Sequence, residues 1–292
     1  MHGMRLSDLQ KPFIKALLLG FILAGFFCFT WATQGQGMET RAGADALSFI
    51  GKSNGRTSDY DRALTVVASV LKKEFELPVS QTKFLLYPNR EVFEANLVHI
   101  VRFDPVYARE VAGWAVAVGA PEMVLANEEA LERIPWSERI RVLAHELVHT
   151  VQYGLAGGRR GTSDQWLREG FADCIAYRVL ESLDLGSSLD RRTFLLARIK
   201  GPVSRSSCAP LSGMVTLEDF MKVRARFGGT MAYGESLLAA DLLVRKHGVQ
   251  PVLRYFGSFR QSDDRLKNFR VAFGEDLPAF EREFAAYLQD PR

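Results

Sequence analysis

The sequence feature that most constrains the fold is the stretch RVLAHELVHTVQYG at residues 141–154. Apolar residues recur at helical spacing around and along it, at Ile140, Leu143, Leu147 and Val151. Ser137 and Glu138 precede this pattern as a capping residue and an acidic residue of the first turn. The pattern predicts a helix that is capped by Ser137 and runs through HELVH.

This predicted helix carries two histidines four residues apart, with a glutamate directly after the first. On a helix, His145 and His149 lie on one face about one turn apart, so both imidazoles can reach the same metal ion. Glu146 lies about 100° around the helix from His145, a placement that suits a general base for a metal-activated water. The alternative is a pair of ordinary histidines on a surface helix, and a third ligand decides between the two.

None of the other histidines is predicted to complete the site, although the chain has five. A third histidine in the HExxHxxGxxH pattern is excluded, because Gln152 and Leu155 occupy the required positions. His2 precedes an apolar N-terminal segment, and His99 and His247 lack carboxylate neighbours that would mark a site. A carboxylate on a following helix is the other way to complete the site.

A second helix is predicted shortly after the histidines. GLAGGRRGTSDQ, at residues 154–165, is a Gly-rich loop long enough to reverse the chain. WLREGFADCIAY follows at residues 166–177. Thr162 together with Gln165, or Ser163 alone, can cap this helix. The two helices would then run antiparallel.

Glu169 is the predicted third ligand, because the chain reversal brings it opposite the two histidines. Asp173 follows four residues later on the same helix face, where it can orient a metal-bound imidazole by accepting its other N–H. A solvated acidic face is the alternative, but apolar residues surround the two carboxylates: Trp166, Leu167, Phe171 and Ile175. Together the two segments predict one Zn²⁺ ion bound by His145, His149 and Glu169.

The rest of the chain predicts an α+β domain at residues 58–292. Before Ser137, helical and strand patterns alternate: a helix at 60–76, a strand at 81–88, a helix at 90–101 and strands at 111–119 and 122–127. After Ser137 the pattern is almost wholly helical. We predict a small mixed sheet with the metal helices in residues 58–177 and a helical lobe in residues 178–292.

Composition and charge limit the partners. Apolar residues make up 47% of the chain and charged residues 24%, which is ordinary for a globular protein with a sizeable core. The formal net charge is +3, and no basic stripe with interleaved aromatic residues is present. We therefore predict no nucleic-acid partner.

The N-terminus carries an export signal. An uncharged apolar run at residues 16–32 follows three basic residues, Arg5, Lys11 and Lys15. A positive flank before such a run predicts a cytoplasmic N-terminus and an extracytoplasmic remainder, periplasmic or at the cell surface. The run is long for a signal-peptide core and short for a spanning helix. Residues 1–32 are therefore either a cleaved signal peptide or an anchor that enters the membrane through residues 13–32, and residues 33–57 are a Gly-rich polar linker.

The chain has three cysteines, of which Cys174 and Cys208 fall in the predicted exported part. In an oxidising compartment these two could form a disulfide, and their spacing does not forbid it. Zinc ligation by cysteine is the weaker alternative, since neither residue belongs to a CxxC pair.

HELVH followed by WLREGFADCIAY resembles the gluzincin metallopeptidases, in which HExxH is followed by a downstream glutamate and an acidic residue four positions later. The WL-x-EG-x-A form is similar to that of the aminopeptidase branch and of the bacterial peptidase MA-like domains. The second group resembles this chain more closely, with a short mixed α/β half, two metal helices and a tyrosine-led helix, here at residues 231–248. The resemblance covers roughly residues 80–289 and implies a zincin-like fold.

Carried over to this chain, the resemblance implies three zinc ligands, His145, His149 and Glu169. It implies that Glu146 is the general base and acid and that Asp173 supports a ligand. It also implies that Tyr233, near the start of its helix, stabilises the oxyanion of the tetrahedral intermediate. A tyrosine at such a position can equally be a core residue, and Tyr153 and Tyr177 are rival candidates near the metal helices.

The resemblance does not extend to the aminopeptidases' recognition of a free amino terminus. That branch has a Gly-x-Met-Glu-Asn stretch, whereas this chain has GWAVAVG at residues 113–119, without the glutamate. An edge strand there could still align an extended peptide by backbone pairing.

The expected function is that of an exported or membrane-anchored zinc peptidase acting on a peptide or protein. Two alternatives remain open at this point. One is a non-catalytic zinc-containing binding domain, and the other is a zinc amidase that acts on a non-peptide amide such as a cell-wall crosslink.

Overall fold

The computed structural model describes residues 57–158, 163–199 and 209–291. The predicted signal peptide or anchor at residues 1–32 lies outside the described residues, as does nearly all of the predicted linker at residues 33–57. Within the described part of the chain, no helix is long and apolar enough to cross a membrane.

The first half of the described chain alternates helices with three short strands. They are α1 (Thr57–Glu74), β1 (Lys83–Tyr87), α2 (Arg90–His99), α3 (Pro105–Ala112), β2 (Ala117–Ala120), β3 (Met123–Asn127) and α4 (Glu128–Glu132). Each predicted helix and strand of this half is present, but α3 and α4 were not predicted, and the strand predicted at residues 111–119 begins only at Ala117. Its first residues instead end α3, because Pro105 and the capping side chain of Asp104 start a helix that the pattern did not reveal.

The three strands form one mixed sheet in the order β1-β3-β2. β1 runs parallel to β3 and β2 runs antiparallel to it, so β1 and β2 are the edges. Along β3, Leu125 packs into a small apolar cluster with α2 and α3, whereas Val124 and Ala126 face the main core. The sheet is therefore covered on both faces.

The second half of the chain is helical throughout the described residues. Its elements are α5 (Trp136–Leu155), α6 (Gln165–Ser182), α7 (Ser188–Ile199), a 3₁₀ turn (Leu211–Gly213), α8 (Leu217–Phe227), α9 (Gly229–His247), α10 (Val249–Ser258), α11 (Arg265–Phe273) and α12 (Leu277–Gln289). The predicted cap of α5 is wrong. The helix begins at Trp136, directly after Pro135, and Ser137 lies inside its first turn. The fixed φ of a proline favours a helix start at this point.

The predicted caps of α6 are not used either. Asp164 occupies the N-cap position, and its side chain makes no capping hydrogen bond. Its buried carboxylate instead accepts hydrogen bonds from Tyr255, at 2.6 Å, and Arg265, at 2.7 Å. Ser163 precedes the cap position, and Thr162 lies outside the described residues. The start of α6 is therefore fixed by contacts with α10 and α11.

One core joins the two halves, and α6 lies at its centre. The main cluster extends from Tyr60 in α1 to Phe284 in α12, so the predicted C-terminal helical lobe shares its core with α5 and α6. A Cβ atom on Gly170 of α6 would lie 2.0 Å from the backbone oxygen of Ser236 in α9. Only glycine allows the two helix backbones to approach this closely. The α+β class with a small mixed sheet is confirmed.

Candidate metal centre

His145, His149 and Glu169 converge where α5 meets α6. The Nε2 atoms of the two histidines lie 3.0 Å apart. Oε2 of Glu169 lies 3.4 Å from Nε2 of His145 and 3.6 Å from Nε2 of His149. A point equidistant from the three atoms is about 1.9 Å from each of them, close to a metal–ligand bond length. The three side chains could therefore hold one metal ion.

The order of contacts between α5 and α6 shows why these residues meet. His145 contacts Asp173, whereas Gln152, later in α5, contacts Arg168, earlier in α6. The two helices therefore run antiparallel. This arrangement places Glu169 opposite the histidine pair, where the sequence analysis expected it.

Asp173 lies behind His145. Its Oδ1 is 2.9 Å from Nδ1 of His145 and also accepts a hydrogen bond from Nη1 of Arg141, at 3.0 Å. Burial lowers the pKa of His145, but the charge and hydrogen bond of Asp173 outweigh it and raise that pKa to about 10. Burial raises the pKa of Asp173, and His145 and Arg141 more than reverse this, so the net pKa is lowered. Asp173 is thus an ionised acceptor that directs Nε2 of His145 towards the other ligands.

Gln152 has the corresponding position behind His149. Its Oε1 lies 2.8 Å from Nδ1 of His149, and its Nε2 donates to the backbone oxygen of Arg168 at 3.0 Å. Because the amide nitrogen of Gln152 is committed to Arg168, the amide oxygen must accept from His149. The proton of His149 is thereby held on Nδ1, and Nε2 keeps the lone pair that a metal requires.

Glu169 is held by a neighbour on its own helix. Nε2 of Gln165 donates to Oε1 of Glu169 at 2.7 Å, which leaves Oε2 directed at the histidines. Burial raises the pKa of Glu169, but His149 and His145 overcome it, and the net pKa lies well below the ordinary value. Glu169 is therefore an ionised ligand.

Glu146 is linked to the edge of the sheet. The backbone amide of Gly119 donates to Oε2 of Glu146 at 2.6 Å. Burial raises the pKa of Glu146, against the opposing charges of His145 and His149. A Cβ atom on Gly119 would lie 2.6 Å from the backbone oxygen of Glu146 and 2.9 Å from Cβ of His149. The absence of a side chain at Gly119 therefore allows β2 to approach α5 closely.

Two cavities meet at this cluster, and His145, Glu146 and Tyr233 line both. The first, of about 330 Å³, is called the Phe220 cavity after its wall, which includes Phe103, Tyr107, Leu217, Phe220 and Met221. The second, of about 300 Å³, is called the Arg191 cavity, and its wall includes Arg141, Tyr177 and Arg191. A chain lying across the cluster would meet Phe220 on one side and Arg191 on the other.

Tyr233 lies at the junction of the two cavities. Its ring packs edge-on against Phe220, with centroids 5.0 Å apart. Burial, followed by the charge of Glu169, raises its pKa well above the ordinary value, so the phenol keeps its proton and can donate a hydrogen bond. The rival tyrosines each line one cavity only: Tyr153 the Phe220 cavity and Tyr177 the Arg191 cavity.

Cys174, His99 and His247 do not belong to the cluster. Cys174 is buried with its Sγ 3.9 Å from Oδ1 of Asp241, and burial raises its pKa to about 12. Cys208, its predicted disulfide partner, lies outside the described residues. His247, the last residue of α9, has one carboxylate neighbour, since its Nε2 lies 2.9 Å from Oε1 of Glu275, but the pair belongs to no group of metal ligands among the described residues.

Arg141, Gln152 and Gly119 were not predicted to contribute to the site. Arg141 precedes His145 by four residues, and Gln152 follows His149 by three, so helical spacing could have placed both beside the site. The role of Gly119 depends on the approach of a strand that is distant in sequence, and no local pattern signals it.

Comparisons with protein-family models, with curated protein sequences and with solved structures each found no match. The chemistry of the centre therefore has to be inferred from the residues that form it.

Proposed function

We propose that the chain is an exported zinc-dependent peptidase with its hydrolytic centre at His145, His149 and Glu169. The observation that carries this proposal is the ligand triangle. Its equidistant point, about 1.9 Å from each atom, is close to the ~2.0–2.2 Å of zinc–nitrogen and zinc–oxygen bonds. The uncharged apolar run at residues 16–32 supports export.

The number of ligands favours a catalytic ion over a structural one. Structural zinc sites are usually closed by four protein ligands, whereas catalytic sites keep one position open. Within the described residues the cluster of potential ligands has three members. Zinc held there would polarise a substrate carbonyl and acidify a water molecule.

Glu146 is suited to move the proton in this reaction. The amide of Gly119 fixes Oε2, so Oε1 is the atom available to take a proton from the attacking water. Burial raises the pKa of this carboxylate, which makes it a better base and allows it to hold the proton until the leaving amine accepts it. Tyr233, which remains protonated, would donate to the carbonyl oxygen as negative charge develops there.

The outer edge of β2 supports a peptide as the substrate. The amide of Asn127 donates to the oxygen of Val116, and bonding alternates along an antiparallel pair. The backbone N–H and C=O of Val118 therefore face β3, whereas those of Ala117 and Gly119 point away from the sheet. The hydrogen bond from the amide of Gly119 to Glu146 shows that this outer edge faces α5. An extended peptide could pair with this edge beside the metal ligands.

The test compares purified wild-type protein with Glu146→Gln. The amide oxygen of glutamine can still accept from Gly119, so we expect one zinc per chain in both proteins. We expect the variant to lose hydrolysis of a peptide library by about 100-fold or more. Glu132→Gln, at an exposed position on α4, controls for the lost charge. Unchanged turnover by Glu146→Gln, or wild-type protein without stoichiometric metal, would overturn the proposal.

A further inference from the structure

Arg191, on α7, is a charged residue of the centre that no acidic group of the described residues neutralises. It lines the Arg191 cavity together with His145 and Glu146. Within the described part of the chain Arg191 makes no ion pair, and its Nε is buried without a hydrogen-bond acceptor. A buried guanidinium donor without an acceptor is rare, and its position invites a functional explanation.

The neighbouring charges are already committed to each other. Arg141 donates to Glu138 at 2.8 Å and to Asp173 at 3.0 Å. Arg192, the next residue along α7, pairs with Asp241 at 3.3 Å. The acids that line the Arg191 cavity are engaged as well, since Asp173 bonds Arg141 and His145, and Glu146 accepts from an amide. The positive charge of Arg191 is therefore available to an anionic group of a molecule bound in the cavity.

Two aromatic rings lie beside the guanidinium of Arg191. Its central carbon lies 5.0 Å from the ring centroid of Tyr177 and 5.5 Å from that of Phe194. These cation–π contacts provide no hydrogen-bond acceptor for the N–H donors, which lie in the plane of the guanidinium. A carboxylate is the planar anion that pairs with such a row of donors through two parallel hydrogen bonds.

We propose that Arg191 binds a carboxylate of the substrate and so selects peptides that carry negative charge on one side of the scissile bond. This inference rests on the proposed peptidase function and deepens it. The carboxylate can be the C-terminus of the peptide or the side chain of an aspartate or glutamate, and both present the same chemistry to the guanidinium.

The test uses one fluorescein-labelled, alanine-rich peptide with a single phenylalanine, synthesised in four forms. Two forms differ only at the C-terminus, which is a carboxylate or an amide. The other two end in an amide and carry glutamate or glutamine at the same internal position, which is scanned along the chain. Hydrolysis is followed with the zinc-loaded wild-type protein. Binding is followed by fluorescence anisotropy with zinc-loaded Glu146→Gln.

Variants at Arg191 are compared in both assays. We expect one charged form to be favoured over its neutral match by about tenfold to a hundredfold. Arg191→Gln should abolish this ratio, and Arg191→Lys should retain part of it. Arg254→Gln, an exposed residue of α10 that lines neither cavity, should leave the ratio unchanged. Melting temperature and zinc content verify that each variant is folded and loaded.

The outcomes separate the two proposals. A preference for the C-terminal carboxylate identifies the terminus as the ligand, and a preference for internal glutamate identifies the side chain. A ratio near one, or a ratio that survives Arg191→Gln, overturns carboxylate recognition even when hydrolysis is observed. If no form is hydrolysed but the binding ratio is present and is lost in Arg191→Gln, the peptidase proposal fails and carboxylate recognition stands. Absence of binding by every form overturns the inference.

Discussion

The amide of Gly119 and the carboxylate of Glu146 are joined by a 2.6 Å hydrogen bond that links β2, at the edge of the sheet, to α5. This bond fixes one oxygen of the proposed base. It also sets the distance between β2, where a peptide could pair, and the ligands that face it. The position of the strand and the position of the base are therefore determined together.

Replacement of Gly119 by alanine should disturb this relationship. The new Cβ would lie 2.6 Å from the backbone oxygen of Glu146 and 2.9 Å from Cβ of His149, and neither atom is the free end of a side chain. Strand and helix must separate, so we expect kcat to fall by at least about tenfold. Steady-state kinetics on a cleaved peptide measure this. Gly257→Ala is the matched control, because its Cβ meets nothing within 4 Å. A Gly119→Ala enzyme with unchanged kcat would contradict the expectation.

Replacement of Gln152 by leucine should weaken metal binding. Leucine lacks the amide oxygen that accepts from His149 and holds its proton on Nδ1. It also lacks the amide nitrogen that donates to the backbone oxygen of Arg168. Loss of such a supporting partner typically lowers metal affinity by about 10- to 100-fold. Competition with a fluorescent zinc chelator gives the affinity. An affinity equal to that of the wild-type protein would show that Gln152 does not orient the ligand.

Zinc affinity should depend on pH through His145. In the metal-free protein the pKa of His145 is raised to about 10, chiefly by Asp173 against the opposing effect of burial. Below that pH, zinc must displace a proton, so the apparent affinity should rise with pH by about tenfold per unit between pH 7 and 9. Chelator competition across this range measures the slope.

Asp173→Asn provides the control for this slope. Without the carboxylate, burial opposes only the smaller raising effects of Glu169 and Glu146, so the pKa of His145 falls. The affinity of the variant should then rise less steeply between pH 7 and 9 than that of the wild-type protein. A flat profile in the wild-type protein, or equal slopes in the two proteins, would argue against a proton held by the His145–Asp173 pair.

Replacement of Gly170 by alanine should destabilise the whole domain. Its Cβ would lie 2.0 Å from the backbone oxygen of Ser236, so α6 and α9 would have to move apart within the main core. We expect the free energy of unfolding to fall by roughly 3 kcal/mol or more. Gly257→Ala should be neutral or stabilising, by up to about 1 kcal/mol. Urea denaturation of both variants tests the contrast, and equal stabilities would refute it.

The sequence predicted α5 and α6 well because helical spacing is a local property. His145, His149, Glu169 and Asp173 are related by intervals of four residues within their helices, and a Gly-rich loop implies a reversal between them. The helix starts were predicted less well. Pro135, not Ser137, occupies the N-cap position of α5. At the start of α6, the carboxylate of Asp164 bonds to residues of α10 and α11 and does not cap the helix. Capping propensity describes a short segment, and tertiary contacts overrode it here.

Other features were not predicted. The end of α3 covers the first two residues of the strand predicted at residues 111–119, and Asp104 with Pro105 is the local signal for the start of that helix. The pairing of His247 with Glu275 and the isolation of Arg191 depend on which helices become neighbours. A single sequence gives no direct information on such contacts.

The short length of β2 has a consequence for which peptide bond of a bound substrate would be cleaved. The amide of Gly119 is already bonded to Glu146, so only Ala117 can offer both a donor and an acceptor from the outer edge of the strand. A peptide that paired there would have a single docking register and could not slide by two residues to an equivalent one. Cleavage would then occur at a constant number of residues from the one that pairs with Ala117. The strand would thereby fix the position of the scissile bond along the peptide.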